Sequence, residues 1–153
     1  MAASAFTISD KARLNYLSAT NLLGANPANF KLSLHASGWT PNVSTAEVKA
    51  DATNELSTGN GYTSGGVALT GVTLTQTGAT VKFTSSPAVW TASGGSIPAW
   101  RTAVAYYNGT LNGKVNPIVG WFVGDNTPAD IPATTDGNTL TVTMNANGIV
   151  AAS

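Results

Sequence analysis

Along much of this chain apolar and polar residues alternate. Phe30-Lys31-Leu32-Ser33-Leu34-His35-Ala36 switches at nearly every position, which predicts a half-buried strand with Phe30, Leu32 and Leu34 inward and Lys31, Ser33 and His35 on the opposite face. The same alternation predicts strands over Val72–Gln76 and Thr80–Thr84, with Val72, Leu74, Val81 and Phe83 inward and a tight connection at Thr77-Gly78-Ala79. Thr139–Met144 predicts another, entered from Asp136-Gly137-Asn138, with Leu140, Val142 and Met144 inward and three threonines outward. Two segments depart from the pattern. In Trp100–Tyr107 and Pro117–Gly124 both alternate sets carry apolar residues, so these strands are expected to be covered on both faces. Between them, Asn108-Gly109 and Asn112-Gly113 suit turn positions with positive φ.

Helical signals are few. Ser9 or Asp10 can cap a short helix carrying Leu14 and Leu17 on one face, within an opening stretch from Ile8 to Leu23. Ser44–Leu56 gathers Ala46, Glu47, Val48, Ala50, Asp51, Ala52, Glu55 and Leu56 and predicts a second helix. From Gly59 onward, Val/Thr/Leu-rich runs separated by Gly, Asn, Asp and Pro recur about every 8–12 residues, the spacing of an antiparallel sandwich or barrel. The expected fold is therefore all-β: one antiparallel β-sandwich or jelly-roll-like domain over residues 1–153, with one or two short helices and residues 1–7 as an N-terminal arm.

Composition sharpens this picture. Hydrophobic residues make up 42% of the 153, enough for a core, but charged residues only 9%, seven of each sign, against roughly 25% in an ordinary soluble domain. A folded monomer of this mass exposes about 7,000 Å², so each charge serves on the order of 500 Å² and much of the surface is expected to be neutral. Zero net charge and a pI near 6.5 provide no footprint for phosphate-dominated nucleic-acid binding and no polybasic segment for anionic lipid. The absence of cysteine excludes disulfides, thiolate zinc sites and thiol nucleophiles. No apolar run reaches membrane-spanning length, and Met1–Phe6 has neither the charged nor the apolar region of an export signal, so neither a membrane nor an export address is expected.

Candidate chemistry is correspondingly thin. His35 is the only histidine, so any metal site or nucleophile relay built on imidazole must run through it, and no partner motif accompanies it. Asp51 and Glu55 stand four apart and would share a face of the expected helix; with His35 they are the only candidates for a small hydrolase. The plainer reading makes them capping and turn residues. Asp125–Asp130 lacks the ligand count and fixed glycine of a calcium loop, and Gly65-Gly66 and Gly94-Gly95 are not followed by the residues of a phosphate cradle. No catalytic residue, metal or cofactor is expected. The tryptophans are more informative. Trp121 sits in a strand and reads as core, whereas Trp39, Trp90 and Trp100 lie near Gly/Ser/Pro-rich turns, where an aromatic either folds back as a lid or projects toward a partner. Scarce charge and exposed-loop aromatics are also the bias of protein interfaces. On this reading the contact residues are Phe6, Trp39, Tyr62, Trp90 and Trp100.

The order of segments resembles the small structural proteins of tailed-bacteriophage particles, particularly capsid-decoration or head-accessory proteins. The resemblance is carried by the opening from Ile8 to Leu23, by Phe30–His35, by the run from Thr53 to Gly66, by Ala88-Val89-Trp90-Thr91-Ala92-Ser93-Gly94-Gly95, and by the close from Asp136 to Val142. Asn54-Glu55-Leu56 with the Asn60-Gly61-Tyr62 turn is its most distinctive piece. The resemblance implies a non-enzymatic virion component, made in the host cytoplasm, that contacts the major capsid protein or other virion proteins and forms a homo-oligomer, without nucleic acid, membrane or cofactor. The alternative is a tail- or fibre-associated receptor- or carbohydrate-binding β module that uses the tryptophans as stacking platforms.

Overall fold

A computed structural model describes residues 6–9, 27–77, 80–125, 127, 129–145 and 150–152. The fold is all-β and antiparallel, as the alternation predicts. Its centre is a four-stranded sheet in the order β2-β1-β6-β9, made of β1 (Phe30–His35), β2 (Val67–Ala68), β6 (Thr102–Tyr107) and β9 (Ile118–Val123). β1 runs against β6 in unbroken register from Phe30↔Tyr107 to His35↔Thr102, and β6 runs against β9 with one bulge after Ala105. Over one face lie two smaller sheets: β5 (Ala88–Thr91) with β10 (Thr139–Val142), and β11 (Val150–Ala152), β4 (Thr80–Thr84) and β3 (Thr73–Thr77) in that order. A hairpin of β7 (Thr110–Leu111) and β8 (Lys114–Val115) turns at Asn112-Gly113, where φ is +50° and +73°, as that Asn-Gly pair predicts.

The double-sided strands are the key to the packing. Phe30, Leu32, Leu34, Ala103, Ala105 and Phe122 face the smaller sheets, meeting Phe83, Ala88, Trp90 and Val142 in the main core. Val104, Ile118 and Trp121 point the other way, into a second cluster closed by Trp39, Ala46 and Ala52 from the long connection after β1. β6 and β9 are thus buried on both sides, as their doubly apolar pattern predicts. Leu140 and Met144 pack partly buried against the main core with Val142, while Thr139, Thr141 and Thr143 are exposed. Phe83 and Val72 face inward as expected; the side chains of Leu74 and Val81 lie outside the described set.

The helix expected over Ser44–Leu56 does not form. The segment holds one 3-10 turn at Lys49–Asp51. Asp51 Oδ2 accepts the amides of Glu47 and Val48 at 2.8 and 2.9 Å, which ties up donors at the head of the turn, and Asn54 at φ +54° turns the chain out of it. Asp51 and Glu55 therefore do not share a helix face. Most of the helix expected between Ile8 and Leu23 falls on residues outside the described set. Strand β5 and the short strands β2, β7, β8 and β11 were not anticipated, because runs of two to four residues carry too little alternation to read.

The 62–66 loop presses directly on β1. Gly66 has φ +72°, and a Cβ there would sit 1.9 Å from the Leu32 carbonyl oxygen and 2.7 Å from Ser33 Cα. Neither the conformation nor the space tolerates a side chain. Gly66→Ala is expected to lower unfolding free energy by roughly 2–4 kcal/mol, measured by urea titration. An unchanged midpoint would mean that this loop does not lie against β1.

Candidate functional site

The densest polar arrangement among the described residues centres on Glu55, whose side chain is 15% exposed. Lys49 Nζ donates to Oε2 at 2.7 Å, Ser64 Oγ to Oε2 at 3.2 Å, Tyr62 OH to Oε1 at 2.8 Å and the Gly65 amide to Oε1 at 2.5 Å. Local backbone makes this convergence. Asn54 and Asn60 take positive φ, Gly61 follows at +90°, and the chain doubles back so that Tyr62 and Gly65 face the carboxylate. Tyr62 OH also accepts the Leu34 amide at 3.0 Å, and Tyr106 OH donates to the Gly65 carbonyl at 2.6 Å, so β1 and β6 both join the network. The Lys49 ammonium lies 5.7 Å from the centroid of the Tyr106 ring.

The electrostatics follow from that geometry. Burial pushes the Glu55 carboxyl upward, but the Lys49 hydrogen bond, the Gly65 amide, the Tyr62 hydroxyl and the Lys49 charge outweigh it, so the group lies below its ordinary value. Burial, reinforced by the neighbouring Glu55 charge, raises both phenols, and Tyr106 is pushed up to about 12. Glu55 is thus an anion held by neutral and cationic donors, a poor proton carrier.

His35 stands beside it through an antiparallel bridge to Glu55, yet its imidazole has different partners. A carbonyl can only accept, so Nδ1–H donates to the Thr53 oxygen at 2.8 Å, and Nε2 meets the Ser33 hydroxyl at 3.0 Å. The ring is fully buried and lies 5.3 Å from Trp39. Burial holds it below its ordinary range; the Thr53 carbonyl opposes this, the Lys49 charge adds to it and the Glu55 charge opposes it. Asp51, Glu55 and His35 therefore have separate hydrogen-bond partners, and the acid–base trio considered from sequence is not assembled. Among the described residues no group of three His, Asp or Glu side chains is arranged to hold a metal ion, and no helix is long and apolar enough to cross a membrane.

The aromatics expected to project fold inward instead. Trp39, Tyr62, Trp90 and Trp100 are 8%, 1%, 5% and 3% exposed. Trp39 packs edge-on against Trp121 and Tyr62 stacks over Trp90, while Trp100 exchanges backbone hydrogen bonds with Ile131. Each ring anchors its turn to the core, because burying so large an apolar area outweighs leaving it wet. They are not available as contact surface or as sugar-stacking platforms in this conformation. Phe6 alone of the five is partly buried rather than buried, and it packs near Phe122. The Glu55 network is what sequence reading missed. Its signal is one of only two glutamates in a charge-poor chain, followed by an Asn-Gly-Tyr turn. Comparison with protein-family models, curated proteins and solved structures found no match.

Two outcomes test the network. Glu55→Gln leaves the half-buried Lys49 ammonium without its carboxylate and is expected to destabilise the fold by about 1–3 kcal/mol by chemical denaturation; near-neutral behaviour would mean that the pair is solvated. Stability is also expected to fall with acidification in two stages. His35 binds its proton less readily folded than unfolded, so its contribution is intact above 6.5 and declines as pH drops below that value. Glu55 contributes above 4.5, and that contribution is lost as pH falls through its depressed folded value. A melting temperature that stays level or rises between pH 7 and 5 would contradict the first stage, and His35→Gln should flatten it.

Proposed function

We propose that this chain is a structural component of a tailed-bacteriophage particle, a capsid-decoration protein. It bridges major capsid proteins on the head surface as a homo-oligomer, after synthesis in the host cytoplasm. The observation that carries the reading is strand β10. It pairs only with β5 among the described residues, contains no charged residue and no proline, and presents Thr139 and Thr141 beside Val89 and Thr91 of β5. A free monomer guards such an edge with lysine, proline or a bulge. A subunit that lies against neighbours has less need of that protection.

The distribution of charge supports the same reading. Lys49 pairs with Glu55, Lys114 with Glu47 and Arg101 with Asp130, so six charges among the described residues are matched within the chain. Among the described residues, what faces outward is dominated by Thr, Ser, Asn and Gly, with Val43, Val89 and Val115 exposed among them. The proposed work is mechanical. Added interfaces must break before the shell opens under internal pressure, and repetition around a closed lattice turns modest contacts into a large effect.

The test is direct. Shells lacking the protein, mixed with purified chain, are expected to bind it to saturation and to disassemble at a higher temperature. Thr141→Lys should weaken that binding without lowering the free protein's own melting temperature. A chain that neither binds such shells nor raises their resistance to heat or chelator overturns the assignment.

A further inference from the structure

Asparagine followed by glycine is chemically labile, because glycine has no side chain to keep its amide nitrogen away from the asparagine carboxamide. The chain holds four such pairs, and three of them, Asn60-Gly61, Asn108-Gly109 and Asn112-Gly113, lie among the described residues. The fold treats these three differently. Asn60 Nδ2 donates to the Ser96 carbonyl at 2.9 Å, and its carboxamide packs so closely on Gly95 that a Cβ there would fall 2.7 Å from Oδ1. Gly61 is closed in by the Thr91 backbone. At the second pair the glycine nitrogen is itself engaged: the Gly109 amide donates to the Tyr107 carbonyl at 3.1 Å and to Asn116 Oδ1 at 3.0 Å. Asn112-Gly113 has none of these restraints. Both residues are exposed, a Cβ on Gly113 would meet nothing within 4 Å, and among the described residues neither the Asn112 carboxamide nor the Gly113 amide has a hydrogen-bond partner.

We infer that Asn112-Gly113 is a site of self-modification, at which the folded protein converts Asn112 into aspartate and isoaspartate through a cyclic imide. The Gly113 nitrogen, having lost its proton to solvent base, attacks Cγ of Asn112. The N–Cγ bond forms, the Cγ–Nδ2 bond breaks, and ammonia leaves with a proton returned from water. Water then adds to one of the two imide carbonyls. Cleavage of the new N–Cγ bond gives aspartate; cleavage of the original peptide bond leaves the chain running through Cγ, as isoaspartate. Attack requires the backbone between the two residues to rotate out of the left-handed turn, where φ is +50° and +73°. The hairpin permits this, because β7 and β8 are joined by only the pairs Thr110↔Val115 and Leu111↔Lys114, and two-residue strands open readily. Either product sets a carboxylate beside the Lys114–Glu47 pair and adds one negative charge to a chain whose seven cations and seven anions cancel. Isoaspartate also lengthens the main chain inside a two-residue turn, whose loop length fixes the β7–β8 register. The site acts as a slow charge switch, whether or not the chain coats a phage head.

The test uses the full-length chain, warmed in mildly alkaline buffer, sampled over time, digested and mapped by mass spectrometry, with isoaspartate counted by enzymatic methyl labelling. Asn112 is expected to convert on the order of tenfold faster than Asn60 or Asn108, the ratio set by the hydrogen bond that each of those pairs must also break. In urea sufficient to unfold the chain the three rates should converge, since all three asparagines precede glycine and the fold makes the difference. Gly113→Ala puts a methyl group beside the attacking nitrogen and should slow conversion at Asn112 by on the order of tenfold while leaving Asn60 and Asn108 unchanged. Should that variant fail to fold, the comparison of folded with unfolded wild-type protein decides alone. An Asn112 that converts no faster than Asn60 or Asn108 in the folded chain overturns the inference. So does a difference that persists undiminished in urea, which would give the selectivity to flanking sequence rather than to the hairpin.

Discussion

The carboxylate of Glu55 is the constraint on which the arrangement of loops depends. Removing an anion from water costs several kcal/mol unless donors replace its hydration, and here four donors from Lys49, Tyr62, Ser64 and Gly65 do so. Lys49 belongs to the 3-10 turn and Tyr62, Ser64 and Gly65 to a separate loop, and the carboxylate is what joins the two. Tyr62 passes the constraint to β1 through the Leu34 amide, and Tyr106 passes it to β6 through the Gly65 carbonyl. One ion pair therefore fixes how the 49–66 connection lies across two adjacent central strands. A network this fully engaged specifies a single arrangement; the same completeness leaves it little capacity for chemistry.

Much of the fold was legible because it rests on period-two patterning. Phe30–His35, Thr80–Thr84 and Thr139–Val142 alternate cleanly and form strands there, and β6 and β9 announced their double burial by carrying apolar residues in both alternate sets. The failures share a cause. In Ser44–Leu56 helical propensity was real but weak, and side chain to backbone hydrogen bonds from Asp51, together with the turn at Asn54, overrode it. At Trp39, Tyr62, Trp90 and Trp100 loop position suggested exposure, whereas the free energy of burying an indole or phenol pulled each turn inward. Where a residue sits along the chain says little about where its ring points. That direction is set by packing partners such as Trp121, which are remote in sequence.

Inward rings and internal ion pairs have a joint consequence for the outside of the molecule. With the large aromatics in the two core clusters and Lys49, Glu47 and Glu55 engaged in internal bridges, the described surface keeps few groups that resist close approach by another protein. Hydroxyl and methyl groups remain, and they lose little on desolvation compared with ammonium or carboxylate groups. Such a surface is permissive toward flat, extensive contact rather than selective for one deep pocket. This favours a repeated structural role over recognition of a small ligand.

The proposed structural role demands that load pass through the subunit without deforming it. The double-sided core meets this demand physically: β6 and β9 cannot shift toward either face without compressing close-packed side chains, Phe122 and Ala103 on one side and Trp121 and Val104 on the other. Their remaining freedom is along the sheet plane, and there β9 is flanked by β6 on one side and by Thr7 on the other. The doubly buried strand β9 is therefore bordered by a single bridge at Thr7. Force applied through the Thr7 bridge would be delivered to backbone hydrogen bonds at Trp121, the residue whose indole packs in the second core cluster.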